Sequence, residues 1–136
     1  MKDFLIKQLQ GILKWLAQAT IARYHPRVIA ITGSVGKTSA KEAVYAALKD
    51  GTSVRRSRGN FNNELGAPLA ILGNWKKIEG ALFWPKVIVQ GFWNIIRKTA
   101  YPEILVLEYG VQKPGDMRYL LEIAKPATAL VTALGD

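Results

Sequence analysis

Along residues 4–23 apolar side chains recur at helical intervals. Leu5, Leu9, Ile12, Leu16 and Ala19 fall on one face, and Asp3, Lys7, Gln10, Lys14 and Gln18 on the other. This spacing predicts an amphipathic helix that ends at Tyr24-His25-Pro26, because the residue before a proline is pushed out of the helical region. Short continuous apolar runs follow. Val28-Ile29-Ala30-Ile31 predicts a strand over 28–32, and the pattern from Lys37 to Leu48 a helix. Asp50-Gly51 reads as a turn and Thr52-Ser53-Val54 as a short second strand. Residues 59–66 are loop-like, and Glu64 to Leu72 predicts a short helix with Pro68 near its first turn. Ile104-Leu105-Val106-Leu107-Glu108 is an apolar run closed by an acid, as in a strand buried on both faces. Met117 to Ala124 predicts a helix with Asp116 as its N-cap, and Ala127 to Thr132 another apolar strand. Strands alternating with helices predict an α/β fold, a mostly parallel sheet flanked by helices.

Residues 74–102 interrupt this alternation with a stretch that holds three of the four tryptophans. Ile88, Phe92, Ile95 and Ile96 recur there at helical spacing. An aromatic, basic helix of this kind could rest at a membrane interface, as could the helix over 4–23. Packing on its own sheet or on a neighbouring domain is the simpler expectation for the insertion, and docking on the domain for the first helix.

The loop between the first strand and its helix carries the chemistry. Thr32-Gly33-Ser34-Val35-Gly36-Lys37-Thr38-Ser39 joins an apolar strand to a helix, the context that makes such a motif a phosphate-binding loop. Gly33 and Gly36 allow positive φ and close backbone approach. Successive N–H groups backed by a helix N-terminus form an anion cradle, to which Gly33, Ser34, Val35, Gly36, Lys37, Thr38 and Ser39 all contribute. Lys37 supplies a point charge for β- and γ-phosphate oxygens, and the Thr38 hydroxyl is placed to hold Mg²⁺. Ile31 stands where the common pattern has its first glycine, so this is a shortened form of the loop.

Two further elements join it. Glu108 closes a strand at the edge where an open parallel sheet binds its ligand, and a carboxylate there can hold Mg²⁺ beside nucleotide phosphates. Asn60-Phe61-Asn62-Asn63-Glu64-Leu65-Gly66-Ala67-Pro68 is too polar for a core and rich in amide donors. Asn60, Asn62, Asn63 and Glu64 are therefore candidates to orient phosphate oxygens or a substrate carboxylate.

Composition sets limits on other readings. A chain of 136 residues, 49% hydrophobic, suits one small domain. The absence of cysteine excludes disulfides and thiolate metal sites, and His25, the only histidine, excludes a His-rich metal site and, beside Pro26, reads as a boundary residue and not a member of a triad. A net charge of +9 favours polyanionic partners. Arg55-Arg56-Ser57-Arg58 is the densest basic cluster, but with no zinc-finger spacing or aromatic RNA-binding motif it reads as a solvated loop, and nucleic acid is not the expected partner. Met1 to Lys7 lacks a signal-peptide pattern and no uncharged run can span a bilayer, so the cytoplasm is the expected location.

In this order, the three elements resemble those of the Mur ligases, ATP-dependent amide-forming ligases of peptidoglycan synthesis. Thr32 to Thr38 matches T-G-[ST]-x-G-K-[ST]. Asn60, Asn62, Asn63, Glu64, Gly66 and Pro68 match N-x-N-N-[DE]-x-G-x-P. Glu108 and Gly110, then Pro114-Gly115-Asp116, match E-x-G and P-G-[DE], and Pro126, Ala129, Val131 and Thr132 match P-x-x-A-x-[IV]-T. The resemblance covers residues 27–135 and is nearest to the member that adds D-alanyl-D-alanine to a UDP-N-acetylmuramoyl-tripeptide. It implies ATP and Mg²⁺ as cofactors, ATP bound by Gly33 to Ser39, Lys37 acting on the transferring phosphoryl group, and Mg²⁺ held by Thr38 and Glu108. It implies a UDP-MurNAc-peptide and D-Ala-D-Ala as substrates.

Departures from the family shape the expected organisation. Residues 1–25 form a helix where the family has a UDP-gripping domain, and residues 26–136 read as the N-terminal part of a central ATP-binding domain with an insertion at 74–102. Ala133 stands where the family often has asparagine. The family's metal-binding histidine, its active-site lysine and its C-terminal domain would all follow Asp136, so the chain reads as truncated and inactive alone. Ligases of the folylpolyglutamate or poly-glutamate type, and a P-loop module contacting nucleic acid or membrane through its basic surface, are the alternatives.

Overall fold

The computed structural model describes residues 1–59 and 61–134. Helix α1 (Lys2–Tyr24) leads into strand β1 (Arg27–Thr32), and helix α2 (Lys37–Leu48) follows the glycine loop. Then come β2 (Val54–Arg56), α3 (Gly66–Leu72), α4 (Phe83–Ile96), β3 (Ile104–Glu108), α5 (Asp116–Ile123) and β4 (Thr128–Val131). The strands form one parallel sheet in the order β2-β3-β1-β4. The two apolar runs therefore occupy the centre, as their lack of alternation predicts.

Register assigns the faces. Val28 pairs with Leu105 and Ala30 with Leu107, so these side chains share one face. They pack with Ala17 of α1, Ala67, Ala70 and Ile71 of α3, and Leu120 and Ile123 of α5. Tyr109, just past β3, is buried in this layer and its hydroxyl donates to the Ala124 carbonyl. Helix α3 is buried along its whole length. Its far side meets a second apolar layer made by Leu13 and Leu16 of α1 with Phe83 and Val87 of α4. The other face of the sheet carries Ile31, Val106 and Glu108, and α2 covers it. Lys41 is the only fully buried residue of α2, and its Nζ lies 3.4 Å from Glu108 Oε2.

Several sequence expectations shift. The buried stripe of α1 is Leu13, Leu16, Ala17 and Thr20, while Leu5 and Ile12 are exposed. Lys14 and Gln18 do not simply face water: Lys14 pairs with Glu122 at 2.7 Å and Gln18 Nε2 donates to the Glu122 carbonyl. Packing against α5 on one flank and α4 on the other rotates the helix away from its apparent apolar face. In α4 the buried side is Phe83, Val87 and Gly91, with Ile88 and Ile95 only partly covered and Phe92 and Ile96 exposed. A Cβ at Gly91 would sit 3.4 Å from Leu16 Cδ1, so α1 and α4 meet at this residue. The second strand begins two residues later than expected, because the Ser53 carbonyl accepts from both Glu103 and Ile104 N–H and ladder pairing starts at Val54↔Ile104.

Asp116 is the first residue of α5 and not its N-cap, a place taken by Gly115. Its Oδ2 turns back and accepts from the N–H groups of Gln112 (2.9 Å) and Lys113 (3.0 Å), latching the loop after β3. The Gln112 bond, with further help from the Lys113 N–H and charge, holds this carboxyl below its ordinary value of 3.8 against an opposing effect of burial.

Two outcomes follow from this packing. Lys41→Met leaves Glu108 buried without its counter-charge and is expected to cost about 3–5 kcal/mol of unfolding free energy, of which Lys41→Met with Glu108→Gln recovers most. Urea unfolding of the two singles and the double measures this, and a loss under about 1 kcal/mol in Lys41→Met means that the pair is not structural. For the loop, a carboxyl whose folded pKa is depressed stabilises the latch above its unfolded value and loses that contribution as pH falls through the folded value. The Gln112 and Lys113 amide resonances should therefore titrate with a midpoint below the ordinary 3.8. A midpoint at or above that value contradicts the latch.

Candidate functional site

The C-terminal ends of β1 and β3 lie side by side, with Ile31 paired to Glu108. In an open parallel sheet this edge is where ligands bind. The glycine loop leaves β1 here with φ of 138° at Gly33 and 83° at Gly36. Gly33 also has no room for a side chain, since a Cβ would fall 2.0 Å from Thr132 Oγ1. That hydroxyl donates to the Val35 carbonyl at 2.6 Å and also lies 3.2 Å from the Thr32 carbonyl, fixing the loop to the chain after β4. The Ser34 N–H donates to the Ala133 carbonyl, so this donor is spent inside the protein.

Past Ser34 the backbone turns into α2 with Gly36 as N-cap. The first N–H groups of any helix lack intrahelical partners and carry the positive end of its dipole. Those of Lys37, Thr38 and Ser39 therefore form the anion-facing end of the loop. The Lys37 ammonium donates to the Gly33 carbonyl at 2.9 Å, which folds its side chain back over the loop.

Glu108 is the centre of the cluster. It is 4% exposed. Thr38 Oγ1 lies 3.5 and 3.4 Å from its two carboxylate oxygens, Asn62 Nδ2 3.5 Å from Oε1, and Lys41 Nζ 3.4 Å from Oε2. Its own N–H donates to Ser57 Oγ at 3.1 Å. A side-chain hydrogen bond at full strength is shorter, about 2.7–3.0 Å, so three neighbours surround the carboxylate without saturating its acceptor capacity. Two oxygens bound at right angles to one Mg²⁺ lie about 3 Å apart, given ligand distances of about 2.1 Å. The Thr38 hydroxyl and the Glu108 carboxylate come close to that separation, and both are hard oxygen donors of the kind this ion prefers. Among the described residues no group of three or more His, Cys, Asp and Glu side chains comes together. Any ion here would thus depend on phosphate and water for its remaining ligands, as Mg²⁺ commonly does.

The asparagine loop divides by role. Asn62 joins the cluster, and its carbonyl accepts from the Gly110 N–H at 2.8 Å. Gly110 must be small, because a Cβ would meet Asn62 Cγ at 2.7 Å. Asn63 does not offer its side-chain oxygen to a ligand: Oδ1 accepts from Leu65 and Gly66 N–H and shapes the start of α3. Asn60 lies outside the described residues. Lys37, Asn62, Asn63, Glu64, Lys113 and Asp116 line part of a cavity of about 250 Å³ in front of the loop. A larger cleft, about 510 Å³, lies instead at the β2 edge near Tyr45 and Tyr101.

That β2 edge holds the arginine cluster, which is not simply solvated. Arg55 donates to the Ala70 and Ile71 carbonyls and lies over the Tyr101 ring. Arg56 pairs with Glu42 at 2.7 Å and lies over Tyr45, while Arg58 donates to Asn74. Burial pushes the Tyr101 phenol up to about 12 and lowers the Arg55 guanidinium from its usual value.

Sequence reasoning missed Lys41, Ser57 and the anchoring part of Thr132. Lys41 left a usable signal, since it follows Thr38 by three residues and shares its helix face. Ser57 and Thr132 left none, because their partners lie 51 and 97–100 residues away.

Comparison with known proteins places this arrangement. Residues 31–83, which include the glycine loop and the asparagine loop, match the Mur ligase middle domain. A curated UDP-N-acetylmuramoyl-tripeptide–D-alanyl-D-alanine ligase of Bacillus subtilis is 32% identical over 132 residues, covering 97% of this chain and 24% of the relative. The enzyme of that name from Synechocystis is 26% identical over 133 residues, with 98% and 24% covered. The crystal structure of MurF ligase from Thermotoga maritima in complex with ADP superposes with a TM-score of 0.67 at 32% identity, covering 93% of this chain and 24% of that one. A MurF structure from Acinetobacter baumannii gives 0.62 at 25%, with 88% and 21% covered. The chain thus spans about a quarter of the length of the curated relatives it matches. Matched by the family model over both loops and by relatives over nearly its whole length, the chain belongs to the Mur ligase family.

Proposed function

We propose that this chain provides the nucleotide-phosphate site of an ATP-dependent ligase that joins a carboxylate to an amine. The observation that carries the reading is the convergence of the glycine loop, Thr38 and Asn62 on the buried Glu108 carboxylate at one sheet edge. The relatives' names describe ligation of D-alanyl-D-alanine to a UDP-N-acetylmuramoyl-tripeptide, and we extend those substrates to the protein of which this sequence is part or whole.

In the proposed reaction the γ-phosphoryl group of ATP passes to the substrate carboxylate and ADP leaves. The amine then attacks the acyl phosphate carbonyl, forming the amide and releasing inorganic phosphate. Such chemistry asks the protein mainly for positioning and charge stabilisation. The N–H groups at the start of α2 bind the phosphates, and Lys37 exchanges the Gly33 carbonyl for phosphoryl oxygens. Thr38 and Glu108 would hold Mg²⁺, which neutralises charge on the phosphate oxygens. Asn62 keeps its amide at Glu108 Oε1, and Lys41 holds the other oxygen, so the carboxylate keeps one orientation toward the loop. Lys113, on the cavity wall, would meet the acceptor carboxylate.

Titration calorimetry of Mg-ATP into the folded chain tests this reading. Lys37→Ala should weaken binding by at least about tenfold, the loss of one charge-assisted contact to phosphate. Glu108→Ala should remove most of the difference between ATP with and without Mg²⁺. Wild-type affinity in Lys37→Ala, or no binding by a folded wild-type chain, would sink the proposal.

A further inference from the structure

Helices α1 and α4 expose apolar faces that join. On α4 the side away from its packed residues carries Val89, Phe92, Trp93 and Ile96, between 42% and 75% exposed. On α1, Phe4, Leu5, Ile12 and Trp15 are between 41% and 60% exposed. The two helices pack on each other, and the Trp15 and Phe92 rings lie 5.7 Å apart across the seam. Single exposed apolar side chains are ordinary, but a contiguous set over two helices marks an interaction surface.

The charges around this face are mostly positive. Between Glu79 and Glu103 the chain has no acid, while Lys86, Arg97 and Lys98 lie there, all exposed. Arg97 reaches over the Trp93 ring, 5.7 Å from its centre. Lys2 and Lys7 extend the basic rim along α1, where Asp3 is the only acid. Aromatic side chains with a mostly cationic rim suit the boundary between anionic headgroups and acyl chains. No described helix is long and apolar enough to cross a membrane, so contact would be in the interface plane.

We propose that the joined face of α1 and α4 docks on the surface of an anionic lipid bilayer. Phe92, Trp93, Ile96 and Trp15 enter the headgroup boundary, and Lys86, Arg97 and Lys98 sit on lipid phosphates. A second copy of the chain fits less well. A two-fold contact would bring a rim rich in lysine and arginine, and poor in acids, against itself. Both helices lie on the face of the sheet opposite α2, so docking leaves the glycine loop open to solution. The proposal is thus independent of the nucleotide reading.

Co-sedimentation with vesicles tests it. The chain should bind phosphatidylcholine vesicles containing roughly one third phosphatidylglycerol, and bind pure phosphatidylcholine far more weakly, with added salt closing the gap. Replacing Lys86, Arg97 and Lys98 together by Gln should weaken anionic-vesicle binding on the order of a hundredfold. Phe92→Ser with Trp93→Ser should lower partitioning to both vesicle types by at least about tenfold. Circular dichroism and urea midpoints check that each variant folds, and the Lys/Arg variant alters only exposed side chains should the aromatic one fail. Three results overturn the proposal. One is equal binding with and without phosphatidylglycerol, and a second is unchanged binding in folded variants. The third is no vesicle binding, whether the free chain self-associates through Phe92 and Trp93, assigning the face to a second copy, or stays monomeric, leaving it to a protein surface.

Discussion

Glu108 ends β3, one of the two central strands, in a place from which water is almost excluded, 4% exposed. A carboxylate there is costly to bury unless an opposite charge meets it, and Lys41, itself 1% exposed, does so at 3.4 Å. This contact fixes how α2 lies on the sheet, since Lys41 is the only residue that the helix buries fully. It also fixes the site, because Thr38 stands one turn before Lys41 and is carried to the same carboxylate. One buried ion pair thereby couples the start of the phosphate-loop helix to the strand end that faces it. An apolar pair could pack as well or better, so stability alone does not account for charges at this place. In the proposed function their use lies in leaving a carboxylate with spare acceptor capacity beside the first N–H groups of α2.

The rest of the fold holds that edge still. Helix α3 is wedged between the sheet and the α1–α4 layer, and the loop before it delivers Asn62 to Glu108. Gly110 gives Asn62 its space, and Gly33 gives Thr132 its space. Both glycines are required by close approach across segments far apart in sequence. Asp116 then latches the loop that follows β3, which forms one wall of the cavity. The site is thus held partly by contacts between elements far apart in sequence and partly by local bonds of Asn63 and Asp116 within its loops.

The two faces of the sheet divide the work. The α2 side carries the charged cluster, and the α1–α3–α4 side carries most of the apolar burial, ending in an outer helix that is apolar nearly all round. A helix of that kind is ordinarily buried. Here α4 covers α1 and α3 on one side and leaves aromatic and aliphatic side chains outward on the other.

The sequence by itself determined much of this. The glycine loop, the bounds of α2 and β3, the parallel α/β class and the placing of Thr38 near Glu108 were all legible, because each rests on local pattern or on the rule that ligands bind at strand C-termini. What it could not give was the facing of side chains in the third dimension. Apolar spacing in α1 pointed to Leu5 and Ile12, yet those are exposed, since contacts with α4 and α5 set the helix rotation. Asp116 had the spacing of an N-cap, yet its carboxylate turned back to the loop it follows. Lys41 had only its spacing from Thr38 to mark it, and the parity of β3, with Leu107 turned to the apolar layer and Glu108 to α2, made it a buried counter-ion. Local pattern fixes which residues form an element. Burial and pairing are decided by which elements meet, and that was settled only in the folded chain.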